Sequence, residues 1–266
     1  MDQQWRDKRG RPMQALVTGA GKRLGRAMAL KLAQEGFDLA VHYDRSAQEA
    51  EAVALEIRQM GRRAVTLQAD LLSPSATAAL LPAASEALEG PITCLVNNAS
   101  IFEADTLQSA TATSWDRHFD SNLRAPFALI QAMADQDVPL VSDANNEPRA
   151  WGLVVNMIDQ RVRNLSPDFM TYTLAKSALW TLTQTAAQAL APQIRINAIG
   201  PGPTLANQHQ SVEDFAKQRA STILQRGVNC EDITAALGYL LSAPAVTGQL
   251  ICVDSGQHLG WENQGD

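Results

Sequence analysis

The chain contains few of the features that build disulfide frameworks, zinc sites or membrane spans. It has only three cysteines, Cys94, Cys230 and Cys252. An odd number without metal-ligand spacing indicates neither a zinc site nor a disulfide framework, so we expect inert thiols in a reducing cytoplasm and no bound metal. No apolar run approaches the length of a bilayer span, and the polar N-terminus lacks a signal-peptide core. These absences predict a cytoplasmic protein with no membrane partner.

An excess of positive charge is also missing. The chain carries 22 Lys and Arg against 28 Asp and Glu, which gives a net charge of −6 and a pI near 5.3. A nucleic-acid surface needs clustered Lys and Arg to neutralise phosphates, so this balance argues against a nucleic-acid partner. We interpret the short basic run from Arg6 to Arg11 as part of a solvated, flexible tail at residues 1–13.

Strand and helix patterns alternate along the rest of the chain, without an internal repeat or a low-complexity segment. With 45% hydrophobic residues, 14–266 are predicted to form one α/β domain. The expected fold is doubly wound and Rossmann-type, a parallel sheet of about seven strands with helices on both faces. The polar segment 136–151 is predicted to be a surface loop, and the polar, partly helical segment 204–227 a lid over the substrate.

A glycine-rich turn connects the first predicted strand to the first predicted helix. Its sequence, TGAGKRLG, runs from Thr18 to Gly25. Gly19 permits a tight turn, Gly21 a close backbone approach, and Gly25 close packing of the helix, which leaves N–H groups aimed at a pyrophosphate. The pattern predicts dinucleotide binding. The expected contacts are Gly19, Gly21, Lys22, Arg23, Leu24 and Gly25.

The end of the second predicted strand, at HYDRS, indicates which dinucleotide is preferred. Arg45 and Ser46 can hold the extra phosphate of NADP by charge and by hydroxyl or helix amide, and Arg23 can assist, so we expect NADPH. Asp44 weakens this prediction because it would repel the phosphate if it pointed inward, and a solvent-facing Arg45 is the alternative. The cofactor contacts predicted here are His42, Tyr43, Arg45 and Ser46.

Tyr172 and Lys176 lie four residues apart on a predicted helix and therefore share one face. The ammonium group of Lys176 can sit beneath the phenol and favour its phenolate, which would let Tyr172 act as an acid near neutral pH. Asp159 follows the buried strand GLVVNMI, at the end where open parallel sheets place functional groups. A Tyr-x-x-x-Lys pattern alone also fits an ordinary exposed helix face.

Together these features resemble the short-chain dehydrogenase/reductase family over nearly the whole chain. The resemblance rests on TGAGKRLG, on LVNNAS from Leu95 to Ser100, on Asn122 and on the Tyr172–Lys176 pair. That family usually has a serine thirteen residues before the tyrosine, where this chain has Asp159. Pteridine reductases are similar to this chain in that aspartate, in the Lys-Arg pair of TGAGKRLG, in HYDRSAQEAE and in NNASIF. The resemblance to this branch is the more specific one.

The resemblance implies roles for residues at the remaining strand ends. Phe102 would stack on one face of a flat pterin while nicotinamide covers the other, or else pack inward as a loop phenylalanine. Asn122 would bend its helix and anchor a water chain to the lysine. Asp70 and Leu71 would contact adenine, although Asp70 can equally cap a turn. Further cofactor contacts are expected from Asn98, Ala99, Ser100, Pro201 and Gly202, besides Tyr172 and Lys176.

The expected reaction is NADPH-dependent reduction of a pterin of the dihydrobiopterin, dihydromonapterin or dihydrofolate type. Hydride transfer to a carbon beside a ring C=N would be completed by protonation from Tyr172 and Asp159, and Asp159 needs a pKa raised by desolvation for this role. The alternatives are a general ketone reductase and a non-catalytic nucleotide-sensing protein. The predicted catalytic residues are Asp159, Tyr172, Lys176 and Asn122, and the predicted substrate contacts are Arg23, Ser100, Phe102, Asp159 and Tyr172.

The resemblance also implies a homotetramer. The subunits would meet largely through the long helices that contain Asn122 and Tyr172.

Overall fold

The computed structural model describes residues 12–138, 140–206 and 211–260. Most of the expected tail at 1–13, including the basic run, lies outside the described residues. So do 207–210 of the expected lid and the last residues, 261–266. In the described part of the chain, no helix combines the length and the apolar character needed to cross a membrane.

The first half of the chain alternates strictly between strands and helices. Hydrophobic strand segments are punctuated by turn residues such as Gly36, which has a φ of +98° after the first helix. Ser73 begins a later helix by accepting a hydrogen bond from Ala76 N at 3.4 Å, and Pro74 occupies the first helical position. The elements are β1 (Gln14–Val17), α1 (Arg23–Gln34), β2 (Asp38–Tyr43), α2 (Ala47–Gln59), β3 (Ala64–Gln68), α3 (Pro74–Leu88) and β4 (Ile92–Asn97).

The second half of the chain contains the remaining helices and strands. A π-helical turn at Asp120–Arg124 separates two of the helices, and 3₁₀ turns occur at Gln160–Val162 and Gln257–Leu259. The other elements are α4 (Ala112–Phe119), α5 (Ala125–Ala134), β5 (Val141–Ser142), β6 (Pro148–Arg149), β7 (Gly152–Met157), α6 (Met170–Ala189), β8 (Ile194–Pro201), α7 (Val212–Ala220), α8 (Cys230–Ser242) and β9 (Leu250–Val253).

The segment 136–151 differs from the loop that its composition predicts. It contains β5 and β6, which pair in antiparallel register. Asp143 closes the turn between them, because its Oδ1 accepts hydrogen bonds from Asn145 N at 2.8 Å and Glu147 N at 3.0 Å. Strands of two residues are too short to produce a recognisable alternation, which is why the pattern did not predict them.

The main sheet has the strand order β3-β2-β1-β4-β7-β8-β9, and every neighbouring pair is parallel. The prediction of a seven-stranded, doubly wound sheet is confirmed. The chain builds outward from β1 in one direction and from β4 in the other, so the order reverses between these two strands. In open parallel sheets, ligands bind in the crevice at the carboxyl ends of the strands where this reversal occurs.

Helices cover both faces of the sheet. On one face α1, α2 and α8 contribute Met28, Ile57 and Leu237 to the core, and on the other α3, α5 and α6 pack with Leu81 and Leu129 against the strands. Every residue of β7 is buried, as expected for a central parallel strand with helices on both sides. Each fully buried Leu or Phe side chain contributes roughly 1.5–3 kcal/mol. The strand ends therefore stand on a rigid platform.

Candidate active site

The loop between β1 and α1 has the close packing that its glycines predict. Gly19 adopts a φ of +63°, a conformation that side chains rarely take. A Cβ on Gly25 would lie 2.2 Å from the Gly19 carbonyl oxygen and 2.6 Å from Asn98 Nδ2. No larger residue fits at Gly25 without moving the backbone of the loop, so α1 begins directly against the carboxyl end of β1.

Side chains from neighbouring strand ends hold this loop. Asn98 donates from Nδ2 to the Thr18 carbonyl oxygen at 2.8 Å, while the Asn98 and Ala99 amides donate to Thr18 Oγ1 at 2.9 and 3.0 Å. The paired asparagines therefore bond across the open end of the sheet. The other member, Asn97, donates to Asn156 Oδ1 at 2.8 Å and links β4 to β7.

His42 lies beneath the loop, although the sequence predicts it as a cofactor contact. Its Nδ1 accepts from the Gly19 amide and its Nε2 bonds the Ala69 carbonyl oxygen, both at 3.0 Å. The ring is buried, and burial lowers the pKa of His42, which keeps it neutral with both nitrogens engaged. A buried ring that is already bonded on both sides can support the loop but offers no polar atom to a ligand.

A groove of about 520 Å³ runs along this loop. It brings together most of the residues predicted to bind the cofactor. Asp70 and Leu71 are not among its described lining residues; instead, Asp70 Oδ1 accepts from the Leu72 amide at 2.9 Å, which is the turn-capping alternative. The predicted residues that line the groove are Gly19, Lys22, Arg23, Leu24, Gly25, Tyr43, Arg45, Ser46, Asn98, Ala99 and Ser100.

Free helix amides and cations in the groove suit an anion, although Asp44 and Glu49 also line it. The first intrahelical hydrogen bond of α1 runs from Arg26 N to Lys22 O at 3.1 Å, so the preceding amides of the first turn have no intrahelical acceptor. Two cations stand nearby in ion pairs: Lys22 with Glu49 at 2.7 Å, and Arg45 with Asp44 at 3.3 Å. The Arg45 side chain is 92% exposed, which matches the solvent-facing alternative.

A second cavity, of about 320 Å³, adjoins the groove. Arg23, Leu24 and Ser100 line both, so the two spaces are neighbours. The cavity collects residues from the ends of β4, β7 and β8 and from α6. The predicted site residues in its lining are Arg23, Leu24, Ser100, Phe102, Asp159, Tyr172, Pro201 and Gly202.

Asp159 and Tyr172, which both line this cavity, are hydrogen-bonded to each other. The phenol donates to Asp159 Oδ2 at 3.1 Å, and Oδ1 accepts from the Arg161 amide at 2.8 Å as the carboxylate caps the following 3₁₀ turn. Burial raises the pKa of Asp159, although the Arg161 amide and guanidinium act in the opposite direction. This is the direction that an acid working near neutral pH requires.

Lys176 lies beneath the ring of Tyr172, as the four-residue spacing predicts. Its Nζ is 5.7 Å from the ring centre and donates to the Met157 carbonyl oxygen at 2.7 Å. Burial lowers the pKa of Lys176 to about 8. Burial, followed by the nearby Asp159 carboxylate, raises the pKa of Tyr172 well above its ordinary value. The expected preference for phenolate is therefore wrong for this geometry, because the hydroxyl faces a carboxylate while the ammonium faces the ring.

Asn122 is completely buried in the π-helical turn between α4 and α5, so the predicted bend is present. Its Oδ1 accepts from the Ile101 amide and its Nδ2 donates to the Ile101 carbonyl oxygen, each at 2.9 Å. These two bonds tie the bent helix to the loop that carries Ser100 and Phe102. Asn122 thus positions one wall of the cavity.

Phe102 borders the cavity and is 40% exposed, so it does not pack inward. Its ring stacks on Phe169 with centroids 4.2 Å apart and planes 6° apart, and it meets Tyr172 edge-on at 4.7 Å. The guanidinium of Arg161 lies 5.1 Å from the centre of the Phe169 ring.

Sequence reasoning missed Phe169 and Arg161. Phe169 precedes α6 in a left-handed conformation with a φ of +56°, which a sequence pattern does not reveal for phenylalanine. The available signal for Arg161 was its place two residues after Asp159. Reasoning from sequence also missed that Arg23 donates to the carbonyl oxygens of Leu205 and Ala206 at 3.0 and 2.9 Å.

A group of possible metal ligands lies at the end of β9 and in the turn that follows it. Donor atoms of Cys252, Asp254 and His258 lie within 4.8 Å of one another. The Asp254 carboxylate accepts from the Gly256 amide at 3.0 Å and the His258 amide at 2.7 Å, and pairs with His258 Nδ1 at 2.8 Å. Burial raises the pKa of Cys252 to about 11, so its thiol stays protonated. These bonds explain the group as a cap on a 3₁₀ turn, and the absence of a metal stays a prediction.

A parallel sheet with a glycine-rich first loop and a Tyr-x-x-x-Lys pair at its carboxyl edge defines an NAD(P)-dependent oxidoreductase class. Residues 13–217 match the model of the short chain dehydrogenase family, and the chain belongs to that family.

Three proteins illustrate what the chain is similar to over more than nine-tenths of its length. The structure of FolM alternative dihydrofolate reductase 1 from Brucella canis, complexed with NADP, is similar at 43% identity and a TM-score of 0.87, over 95% of this chain and 96% of that one. An uncharacterized oxidoreductase of Mycobacterium tuberculosis is 36% identical, over 91% of this chain and 90% of its own length. The 3-oxoacyl-[acyl-carrier-protein] reductase FabG of Staphylococcus aureus is 31% identical, over 92% and 98%.

Proposed function

We propose that this protein uses NADPH to reduce a dihydropterin, of the dihydrobiopterin, dihydromonapterin or dihydrofolate type. The observation that carries the proposal is the hydrogen bond between Tyr172 and Asp159, in a cavity bordered by the ring of Phe102 and adjoining the groove along the glycine-rich loop. The similarity to an alternative dihydrofolate reductase crystallised with NADP supports both the cofactor and the substrate class.

The residues of the groove fit a nicotinamide dinucleotide. Gly25 leaves no room for a Cβ, and the unbonded amides at the start of α1 suit a pyrophosphate. Arg45 and Ser46, at the N-terminus of α2, would hold the phosphate on the adenosine ribose. For this, Arg45 has to exchange its exposed ion pair with Asp44 for the phosphate, a small cost because such surface pairs contribute about 0–1 kcal/mol. Pro201 and Gly202, at the end of β8, would border the nicotinamide.

The bound cofactor supplies the hydride. The residues of this chain hold the pterin and move the proton. Phe102 offers an aromatic face for the flat ring. Burial raises the pKa of Asp159, which favours its protonated form, and burial likewise raises the pKa of Tyr172, which favours the neutral phenol. The hydrogen-bonded pair is thus the acid that protonates the ring nitrogen beside the carbon being reduced.

Lys176 supports this acid without contacting the hydroxyl directly. When the pair releases a proton, the negative charge left behind lies near the buried Lys176 ammonium, which stabilises it in a low-dielectric site. The hydrogen bond from Nζ to the Met157 carbonyl oxygen fixes the ammonium between β7 and α6. Asn122 is a positioning residue, because its hydrogen bond to Ile101 holds the loop that carries Ser100 and Phe102.

A second candidate function, ketone reduction, is favoured by the similarity to a 3-oxoacyl-[acyl-carrier-protein] reductase. The Tyr172–Lys176 pair also serves that chemistry. A carboxyl group at residue 159 fits it less well, because a ketone oxygen needs a hydrogen-bond donor that stays neutral at all working pH values, as a hydroxyl does. Turnover of a ketone panel beside dihydropterins distinguishes the two functions.

We also propose that the protein acts as a cytoplasmic homotetramer. The free cysteines suit a reducing compartment. Large apolar side chains stand exposed on the helices that the sequence resemblance assigns to subunit contacts, including Phe127 on α5 and Leu174 on α6. Light scattering of the purified protein tests this assembly: a tetramer that Phe127→Asp converts to smaller species agrees with it, and a monomeric wild type contradicts it.

A further inference from the structure

The cavity that holds Asp159 and Tyr172 has a positively charged wall that the reduction itself does not use. Arg23 and Arg161 both line this cavity, and Asp159 is the only acidic side chain among its described lining residues. Arg23 lies at the boundary with the dinucleotide groove and is held by two carbonyl oxygens. Arg161 lines the cavity but not the groove, so its charge is available to the substrate.

The guanidinium of Arg161 has unused hydrogen-bonding capacity. Its Nη1 donates to Ser166 Oγ. Among the described residues, its Nε is buried without a hydrogen-bond partner. No carboxylate in the described part of the chain lies within ion-pair distance of Arg161, and an arginine fork can bind a carboxylate through two parallel hydrogen bonds.

Arg161 is also held in place before any ligand arrives. It stacks on Phe169, and Phe169 stacks on Phe102, the ring proposed to carry the pterin. The bond to Ser166 Oγ fixes the fork from the other side. Because Arg161 lines the same cavity as Phe102 and Asp159, a substituent on a ring held there comes within reach of the guanidinium. A preorganised cation loses little entropy on binding.

We propose that Arg161 binds an anionic, carboxylate-bearing side chain of the substrate and makes the enzyme select dihydrofolate over neutral dihydropterins such as dihydrobiopterin. This inference rests on the proposed function and names the substrate within it. Pairing with a carboxylate is expected to raise kcat/KM for the anionic substrate about 10-fold to 100-fold relative to the neutral one, the range that hydrogen bonds to charged groups provide.

The test compares kcat/KM for dihydrofolate and dihydrobiopterin, with NADPH, in wild type and Arg161→Met. Methionine keeps an unbranched apolar side chain and removes the charge. Arg161 also acts electrostatically on Asp159, so its loss can change both rates by a common factor. The ratio of the two kcat/KM values removes that factor, and it is expected to fall about 10-fold to 100-fold, mainly through KM for dihydrofolate.

Two further variants keep the comparison interpretable. Arg163→Met removes the same charge from an exposed residue that does not line the cavity, and its ratio should equal that of wild type. Arg161→Lys keeps the charge without the fork and should restore part of the preference, which shows that a loss in Arg161→Met does not come from misfolding.

A ratio that is unchanged in Arg161→Met, while wild type reduces both dihydropterins, overturns this inference and leaves the proposed function standing. A wild type that reduces neither dihydropterin overturns both.

Discussion

The hydroxyl of Tyr172 donates a hydrogen bond to the Asp159 carboxylate across 3.1 Å. Tyr172 comes from the first turns of α6 and Asp159 from the residue pair that follows β7. Two acids in direct contact titrate as a coupled pair, so the loss of a proton from one raises the pKa of the other. The pair therefore acts as one proton donor in the lining of the cavity proposed to bind the pterin.

The rate of pterin reduction should depend on the protonation of this pair. Because burial raises the pKa of Asp159, we expect kcat/KM to be constant at low pH and to fall as pH rises through that raised pKa. A pH–rate profile of the wild type measures the descending limb. Asp159→Asn, which cannot titrate, should be slower and lose that limb. An identical limb in Asp159→Asn would assign the titration to another group.

Lys176 should affect the pH dependence of stability as well as the reaction rate. Burial lowers its pKa from 10.5 to about 8, so the folded state carries a penalty for the charged form that is complete below pH 8 and disappears as pH rises toward 10.5. That penalty is on the order of 3 kcal/mol. The free energy of unfolding of Lys176→Met, relative to wild type, should therefore decrease between pH 7 and pH 10 in denaturant titrations.

The same Lys176→Met variant should lose most of its kcat, by about 10²-fold or more, since it removes the charge that stabilises the deprotonated pair. A stability difference that does not change with pH would show that the pKa of Lys176 is not lowered in the folded protein.

Gly25 should tolerate no side chain. A Cβ there would stand 2.2 Å from the Gly19 carbonyl oxygen, so Gly25→Ala should displace the glycine-rich loop, raise KM for NADPH at least 10-fold, and cost roughly 1–3 kcal/mol in stability. Gly238→Ala is the matched control, because its Cβ would meet only the flexible end of Lys31 at 3.3 Å. Equal effects of the two substitutions on KM would contradict the proposed packing against the cofactor.

Phe102 should contribute to binding of the substrate and not to binding of the cofactor. Phe102→Ala removes the ring that lines the cavity while leaving the dinucleotide groove intact, so KM for dihydropterin should rise about 10-fold, the amount expected for losing an aromatic stacking partner. KM for NADPH should stay the same. Phe102→Leu separates stacking from volume, and a leucine variant that performs like wild type would show that the ring plane is unimportant.

The strands and helices were predictable because their signals are local. The observed β7 ends at Met157, one residue before the end of the apolar run GLVVNMI, and α1 begins at Arg23, within the predicted strand-to-helix turn TGAGKRLG. In a sheet covered on both faces, however, apolar runs do not alternate, so the sequence could not show that His42 points beneath the loop.

The candidate site was predictable to the extent that its residues stand at strand ends or at helical spacing. Asp159, Tyr172 and Lys176 are brought together as expected. The stack of Arg161, Phe169 and Phe102 was not predictable, because it joins two loops through a left-handed backbone at Phe169. The pKa of Tyr172 was misjudged because spacing places Lys176 under the ring but reveals neither that the phenol is buried nor that its hydroxyl bonds a carboxylate.

The most direct test of the proposed function follows NADPH oxidation by the purified protein with dihydrobiopterin, dihydrofolate and a panel of ketones, in wild type and Asp159→Ala. Wild type should reduce dihydropterins faster than ketones, and Asp159→Ala should lose about 10²-fold to 10⁴-fold of that rate, the usual contribution of a general acid, while still binding NADPH. Turnover confined to ketones, or pterin turnover that survives in Asp159→Ala, would contradict the assignment of Asp159 as the acid of a pterin reductase.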